Sequence, residues 1–144
     1  MTLYFKVMFD RRDTSIVAST GFGKSLTYQF PAVALNKITI VISPLISLMH
    51  DQVASLHERG IAATFFCSEQ TDKSIPSKFA DFNVIYLTPE SLLYPGEIYH
   101  NSRLVQNNIG KILDKICLIA IDEAHVNIIL LITYFLVHHI SGCF

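Results

Sequence analysis

The chain has 144 residues, enough for one domain with a sizeable core. Hydrophobic residues make up 51% and charged residues 16%, an apolar balance, and the formal net charge of −1 shows no overall basic excess that would announce nucleic acid. The odd, scattered cysteines Cys67, Cys117 and Cys143 argue against a disulfide framework or zinc site and for a reduced intracellular compartment. Residues 1–13 lack the apolar core of a secretory signal, and the apolar run Ile128–Val137 is shorter than the roughly 20 residues of a membrane span.

In chain order, Ser15–Ala18 reads as a strand, followed by the glycine-rich turn Thr20–Gly23 and a helix over Lys24–Leu35. Ile38–Ile42 is a continuous apolar run of the kind found in strands buried on both faces. Leu45–Arg59 follows at helical spacing, with Leu45, Leu48, Met49, Val53 and Leu56 on one face and Gly60 as the terminating residue. Ala62–Phe66 predicts a third strand, Ser74–Phe82 a short helix, and Val84–Leu87 a fourth strand closed by Thr88-Pro89. Residues 90–115 predict one or two helices around the turn signal Pro95-Gly96, and Ile116–Ile121 a fifth strand ending at Asp122. Strands separated by helices imply an α/β fold with a mostly parallel sheet and helices on both faces. Ligands of such sheets sit at the carboxyl ends of the strands, where every polar motif of this chain falls.

The first motif is ASTGFGKS, Ala18–Ser25, placed between a strand and a helix. Gly21 and Gly23 permit a tight turn with inward-pointing N–H groups, and these donors, with the helix N-terminus, attract phosphate oxygens. The segment Thr20-Gly21-Phe22-Gly23-Lys24-Ser25 then forms the nucleotide cradle, with Lys24 reaching the β- and γ-phosphates and the Ser25 hydroxyl a ligand for Mg²⁺. The alternative, an ordinary glycine-rich turn, is disfavoured by Gly-Lys-Ser in this strand–helix context. The second motif is Asp122-Glu123-Ala124-His125. Asp122, at a strand end beside the phosphate loop, suits Mg²⁺, and Glu123 is placed to orient or deprotonate the attacking water. Alone, this motif could be a solvated acidic turn; paired with the upstream loop it points to ATP and Mg²⁺.

The spacing of these two motifs resembles superfamily-two helicases. Ile42–Met49 (ISPLISLM) with Asp51-Gln52-Val53, Tyr28 and Pro31 in KSLTYQFPAV, and Thr88-Pro89-Glu90 narrow the resemblance to RecQ-family DNA helicases, with local wording nearest Werner-syndrome-type members. The resemblance covers about residues 11–125. It implies a RecA-like P-loop NTPase domain, incomplete here, and a division into an atypical segment 1–13, a partial motor domain 14–125, and an unmatched apolar tail 126–144. It implies an ATP-hydrolysing motor that unwinds duplex DNA with 3′-to-5′ polarity in nuclear repair and recombination. Single-stranded DNA would be held by Ser43, Pro44, Leu45, Ser47, Gln52, Thr88 and Glu90. Of these, the side chain of Leu45, like Leu48 and Met49, reads as core, and the backbone of Ser43–Leu45 as the better DNA contact. His125 would couple hydrolysis to DNA beside Lys24, Asp122 and Glu123 in the catalytic set. The remaining histidines read as surface or packing residues, and Cys67 and Cys117 as apolar fillers.

The sequence departs from the family in three places. Residues 1–13 contain no Gln for the adenine-reading segment, Val126–Leu130 replaces the polar loop that follows the acidic motif, and a second RecA-like domain is absent from this chain. Two alternatives therefore stand beside the helicase: a truncated nucleotide- or DNA-binding module without turnover, and another P-loop NTPase such as a GTPase.

Overall fold

A computed structural model describes residues 23–67, 71–93 and 100–122. Helix α1 (Lys24–Leu35) starts from Gly23, whose φ of 74° lies in the left-handed region that glycine enters without a Cβ penalty. The helix continues through Pro31, which withholds one N–H from the ladder, and stops at Asn36 (φ 50°, ψ 46°). There the N–H groups of Asn36 and Lys37 donate to the carbonyls of Val33 and Ala32, closing the last turn. Strand β1 (Ile38–Ile42) is buried at all five positions, as its unbroken apolar run predicts.

Helix α2 (Ile46–Glu58) buries Met49, Val53 and Leu56. It ends at Gly60 (φ 73°), with N–H groups of Gly60 and Ile61 donating to His57 and Leu56 carbonyls. The expected core role of Leu45 is corrected here. Leu45 precedes the helix in an extended conformation and is 49% exposed, because the helical period begins only at Ile46. Leu48 is half-buried and Met49 fully buried.

Strand β2 (Ala63–Phe66) starts one residue later than the sequence suggests. The short helix expected over Ser74–Phe82 is a 3-10 helix, Ile75–Asp81, with Pro76 in its first turn. Strand β3 (Val84–Leu87), helix α3 (Pro89–Leu93) and helix α4 (His100–Gly110) follow, then a 3-10 turn at Leu113–Lys115 and strand β4 (Ile116–Ile121). The predicted strand Ser15–Ala18, the turn Pro95-Gly96 and the tail 126–144 lie outside the described residues.

The four strands are parallel, in the order β2-β3-β1-β4. Side chains alternate between the two faces, so each face carries its own core. One core joins Ile38, Ile40, Ile42, Phe66, Ile85 and Leu87 to Phe79, Leu92, Val105 and Ile109 from the 3-10 helix, α3 and α4. The other joins Val41, Ala63, Val84 and Tyr86 to Tyr28 and Ala32 of α1 and to Met49, Val53 and Leu56 of α2. Helices thus cover both faces, as the alternating element pattern predicts. Burying each large aliphatic side chain contributes about 1.5–3 kcal/mol, which is why two such layers outweigh the ordering of a short chain.

One irregularity sets up the site. Ile38 pairs with Ile116 but Thr39 with Leu118, so β4 carries an extra residue at Cys117. Because side chains alternate, that residue reverses which of the later β4 side chains faces which layer. Leu118 and Ala120 consequently face the α1–α2 layer, and Ile119 and Ile121 the other. Cys117 fills the irregularity, its sulfur 3.7 Å from Thr39 Oγ1 and 3.4 Å from the Ile38 carbonyl; burial pushes its thiol pKa up.

Candidate functional site

The carboxyl ends of the strands form a staircase. The Asp122 N–H donates to the Ile42 carbonyl at 2.9 Å, the Ser43 N–H to Leu87 at 3.0 Å, and the Thr88 N–H to Phe66 at 3.3 Å. Three stretches distant in sequence are thereby laid side by side along one edge: the acidic strand end, the Ser43-Pro44 segment and the Thr88-Pro89 segment. This is the edge at which α/β sheets bind ligands. A shallow depression of about 450 Å³ lined by Lys37, Phe82, Asn83 and Lys115 lies at the opposite, amino-terminal edge, away from every motif residue.

At the nucleotide end, α1 presents Lys24 and Ser25 in its first turn. That turn contains no acidic side chain, and no side chain caps its N–H groups, so the positive helix end is not already neutralised from within. Ser25 and Tyr28 stand three residues apart and share a face of α1. The Tyr28 phenol donates to Asp122 Oδ2 at 3.2 Å and also interacts with the Ser25 hydroxyl. One phenol is therefore bonded to Asp122 and lies beside Ser25, the two residues expected to hold Mg²⁺. Hydroxyl and carboxylate oxygens are the donors a hard divalent cation prefers, so the donor set fits Mg²⁺. Thr20, Gly21, Phe22, Glu123 and His125 lie outside the described residues.

The residues expected to face DNA divide into two groups. Ser43 and Thr88 are buried, at 1% and 3% exposure, so neither presents a hydroxyl to solvent, and the Ser43 N–H is committed to the sheet. Within the Ser43–Leu45 stretch the open part is therefore its Pro44-Leu45 end. The Thr88 Oγ1 has no hydrogen-bond partner, whereas its carbonyl accepts from Ser91 Oγ at 2.7 Å. Leu45 and Ser47 are exposed and Pro44 and Glu90 half-buried, which leaves the start of α2 as the open part of this edge. Gln52 is half-buried and turned inward, its Oε1 accepting from Gln29 Nε2 at 2.8 Å.

Gln29 and Tyr86, which no motif singles out, lie directly behind Tyr28. Gln29 is 6% exposed, and its amide also donates to the Tyr86 hydroxyl at 2.9 Å. The Tyr86 ring meets Tyr28 edge-on, with centroids 6.4 Å apart at 79°. The available signals were a glutamine on the sheet-facing side of an otherwise apolar helix and a phenol inside the apolar strand VIYL; each must find a partner when buried.

Two of the histidines, His50 and His57, have plain roles. His50 meets Phe65 at a tilt of 52° with ring centroids 4.2 Å apart, and His57 Nε2 lies 2.7 Å from the Ala63 carbonyl. Among the described residues no group of three or more His, Cys, Asp or Glu is arranged to hold a metal, and no helix is long and apolar enough to cross a membrane.

Comparison with known proteins gives the chain a family. The DEAD/DEAH box helicase family model matches residues 2–128. The chain belongs to the DEAD/DEAH box helicase family. Within it, the chain is 43% identical over 120 residues to the mouse bifunctional 3'-5' exonuclease/ATP-dependent helicase WRN, covering 83% of this chain and 8% of that protein. It is 39% identical over 121 residues to the ATP-dependent DNA helicase RecQ of Haemophilus influenzae and 40% over 122 residues to that of Bacillus subtilis, covering 79% and 80% of this chain and 18% and 19% of those proteins. The chain thus spans less than a fifth of the length of these relatives. The RecQ-type resemblance of the motifs and the parallel RecA-like sheet both hold, and the family match begins ahead of the Arg11 from which the motif resemblance runs.

The two buried phenols have a measurable signature. Burial pushes both the Tyr28 and the Tyr86 pKa above the ordinary 10.0, and the nearby Asp122 carboxylate adds to the effect. Above about pH 10 the folded chain then holds more protons than the unfolded chain, so stability is full below that pH and falls as pH rises past it. In an alkaline absorbance titration, Tyr28 and Tyr86 should ionise above the ordinary tyrosine range. Tyr28→Phe and Tyr86→Phe should each remove part of that late phase; an unchanged curve in both variants would contradict the burial.

Proposed function

We propose that this chain is the first motor segment of a RecQ-type ATP-dependent DNA helicase, binding ATP with Mg²⁺ at the α1 end of the sheet edge and single-stranded DNA along the rest of it. The observation that carries the reading is the meeting of Ser25 and Asp122 on the Tyr28 phenol. In it, Lys24 neutralises phosphate charge, Ser25 and Asp122 hold the cation, Glu123 orients the attacking water, and His125 couples that centre to the DNA side. The N–H groups at the start of α2, with Leu45, Ser47 and Glu90 around them, meet the DNA backbone; contacts of this kind position a strand without reading its sequence. Mg²⁺ supplies charge neutralisation between the phosphates when bound. Unwinding polarity of 3′ to 5′, a role in repair, and the nucleus as the DNA-holding compartment of a eukaryotic cell belong to the same reading.

The test is binding of a fluorescent ATP analogue to the chain with Mg²⁺, competed by ATP and by GTP, followed by ATP hydrolysis with and without single-stranded DNA. Competition by ATP together with DNA-stimulated turnover supports the motor. Binding without turnover in either condition would leave the non-catalytic module, and preferential competition by GTP would replace the helicase by another P-loop NTPase.

A further inference from the structure

We propose that Tyr28 is a positioning residue for the metal-holding oxygens, setting the rotamers of Ser25 and Asp122 together through one hydroxyl and itself held from behind by Tyr86, Gln29 and Gln52. The inference rests on the nucleotide reading above.

The geometry supports a positioning role over a packing one. A phenylalanine at residue 28 would fill the same space against Ala32 and Tyr86 in the apolar layer. The hydroxyl adds a bond of 3.2 Å to Asp122 Oδ2 and the interaction with Ser25.

 The Asp122 bond spans 94 positions of the chain, whereas Ser25 lies on the same face of α1 one turn away. A hydroxyl that joins a helix start to a strand end in this way fixes their spacing at the point where a cation would sit. The ring's own orientation is over-determined. It meets Tyr86 edge-on, the Tyr86 hydroxyl accepts from Gln29 at 2.9 Å, and Gln29 in turn donates to Gln52 on α2 at 2.8 Å. Tyr28, Gln29 and Tyr86 are each at most 6% exposed, so this polar chain is built into the apolar layer between α1, α2 and the sheet. Buried polar side chains that satisfy one another hold one arrangement of their elements, because any other arrangement leaves a donor or acceptor unpaired.

Groups that orient metal ligands typically change metal affinity by about 10–100-fold when removed. The test is Tyr28→Phe in this chain, with fluorescent ATP-analogue binding titrated against Mg²⁺ and repeated in excess chelator, and far-UV circular dichroism to monitor the fold. The expected result is a roughly tenfold or greater rise in the Mg²⁺ concentration needed for half-maximal enhancement of binding, with metal-free binding and the spectrum unchanged. Gln29→Leu should produce a smaller shift in the same direction. Equal Mg²⁺ dependence in wild type and Tyr28→Phe overturns the positioning role while leaving the nucleotide reading intact, as does wild-type binding that ignores Mg²⁺. Absence of nucleotide binding by the wild-type chain overturns both. If Tyr28→Phe loses its fold, Tyr86→Phe is measured instead: it keeps the Tyr28 hydroxyl on Ser25 and Asp122 but removes the Gln29 contact behind the ring, and an unchanged Mg²⁺ dependence there overturns the anchored arrangement.

Discussion

Replacing Lys24 by alanine is expected to weaken nucleotide binding by about tenfold to a hundredfold and to abolish any DNA-stimulated turnover. Lys24 is the first residue of α1 and is half-buried beside a helix end that has no acidic side chain in its first turn. In the proposed site its ammonium is the one full positive charge that the loop residues Gly23–Ser25 bring to the phosphates. A hydrogen bond to a charged group contributes about 1.5–3 kcal/mol, and each 1.36 kcal/mol is a factor of ten, which sets the expected range. The substitution should spare the fold, because alanine is the best helix former and Lys24 supplies none of the buried α1 residues. Titration of a fluorescent ATP analogue, with circular dichroism as the control for folding, measures the effect. Wild-type affinity in Lys24→Ala would remove the phosphate loop from the account and with it the nucleotide site.

The largest effect on stability is expected from Phe66→Ala. Phe66 ends β2, is fully buried, and belongs to the core that unites β1 and β3 with the 3-10 helix, α3 and α4. Removing a buried aromatic ring costs about 3–5 kcal/mol, lost transfer energy plus the cavity left behind. A domain has only about 5–15 kcal/mol in total, so the variant should stand near the limit of folding. Among the described strands β2 pairs only with β3, which gives its end little other support. With urea slopes of about 1–3 kcal/mol per molar, the midpoint should fall by at least about 1 M. The chain contains no tryptophan, so far-UV circular dichroism is the suitable probe. Arg103→Ala, an exposed change on α4, should move the midpoint little. Equal midpoints for Phe66→Ala and Arg103→Ala would mean that the layer holding Phe66 is not a packed core.

The two experiments separate what the fold requires from what the site requires. Lys24 should change binding without changing the midpoint, and Phe66 the reverse. Tyr28 lies between them: its ring packs in the layer over the sheet, while its hydroxyl reaches Asp122. That is why Tyr28→Phe, which keeps the ring, is the informative change there and Tyr28→Ala is not.

Much of this arrangement could be read from residues alone. The unbroken run Ile38–Ile42 required a strand covered on both faces, and β1 is buried at every position. The helix bounds Lys24–Leu35 followed from the glycine-rich turn before it, and the structure reproduces them. Gly60 marked the end of α2 because a left-handed residue there lets the last carbonyls find donors. The Gly-Lys-Ser start of α1 and the aspartate at the end of β4 were legible as positions, and the proposed phosphate and cation roles rest on the residue types that stand there.

Other features depended on contacts between residues far apart in the chain. Periodicity placed Leu45 in the core, but it counts spacing and cannot see that the helix begins one residue later, outside the turn that holds Leu45. It could not show that Ser43 and Thr88, polar residues at strand ends, would be buried by the neighbouring strands. Nor could it reveal the extra residue of β4 at Cys117. That residue exists only relative to β1, yet it decides which later β4 side chains face α1. The sequence by itself determined the element types, the two-faced parallel sheet and the motif residues, because these rest on local spacing and side-chain chemistry. Only the tertiary structure decided that Ser25, Asp122, Tyr86, Gln29 and Gln52 meet around Tyr28, because hydrogen bonds across a sheet are set by register and layer, which no single segment encodes.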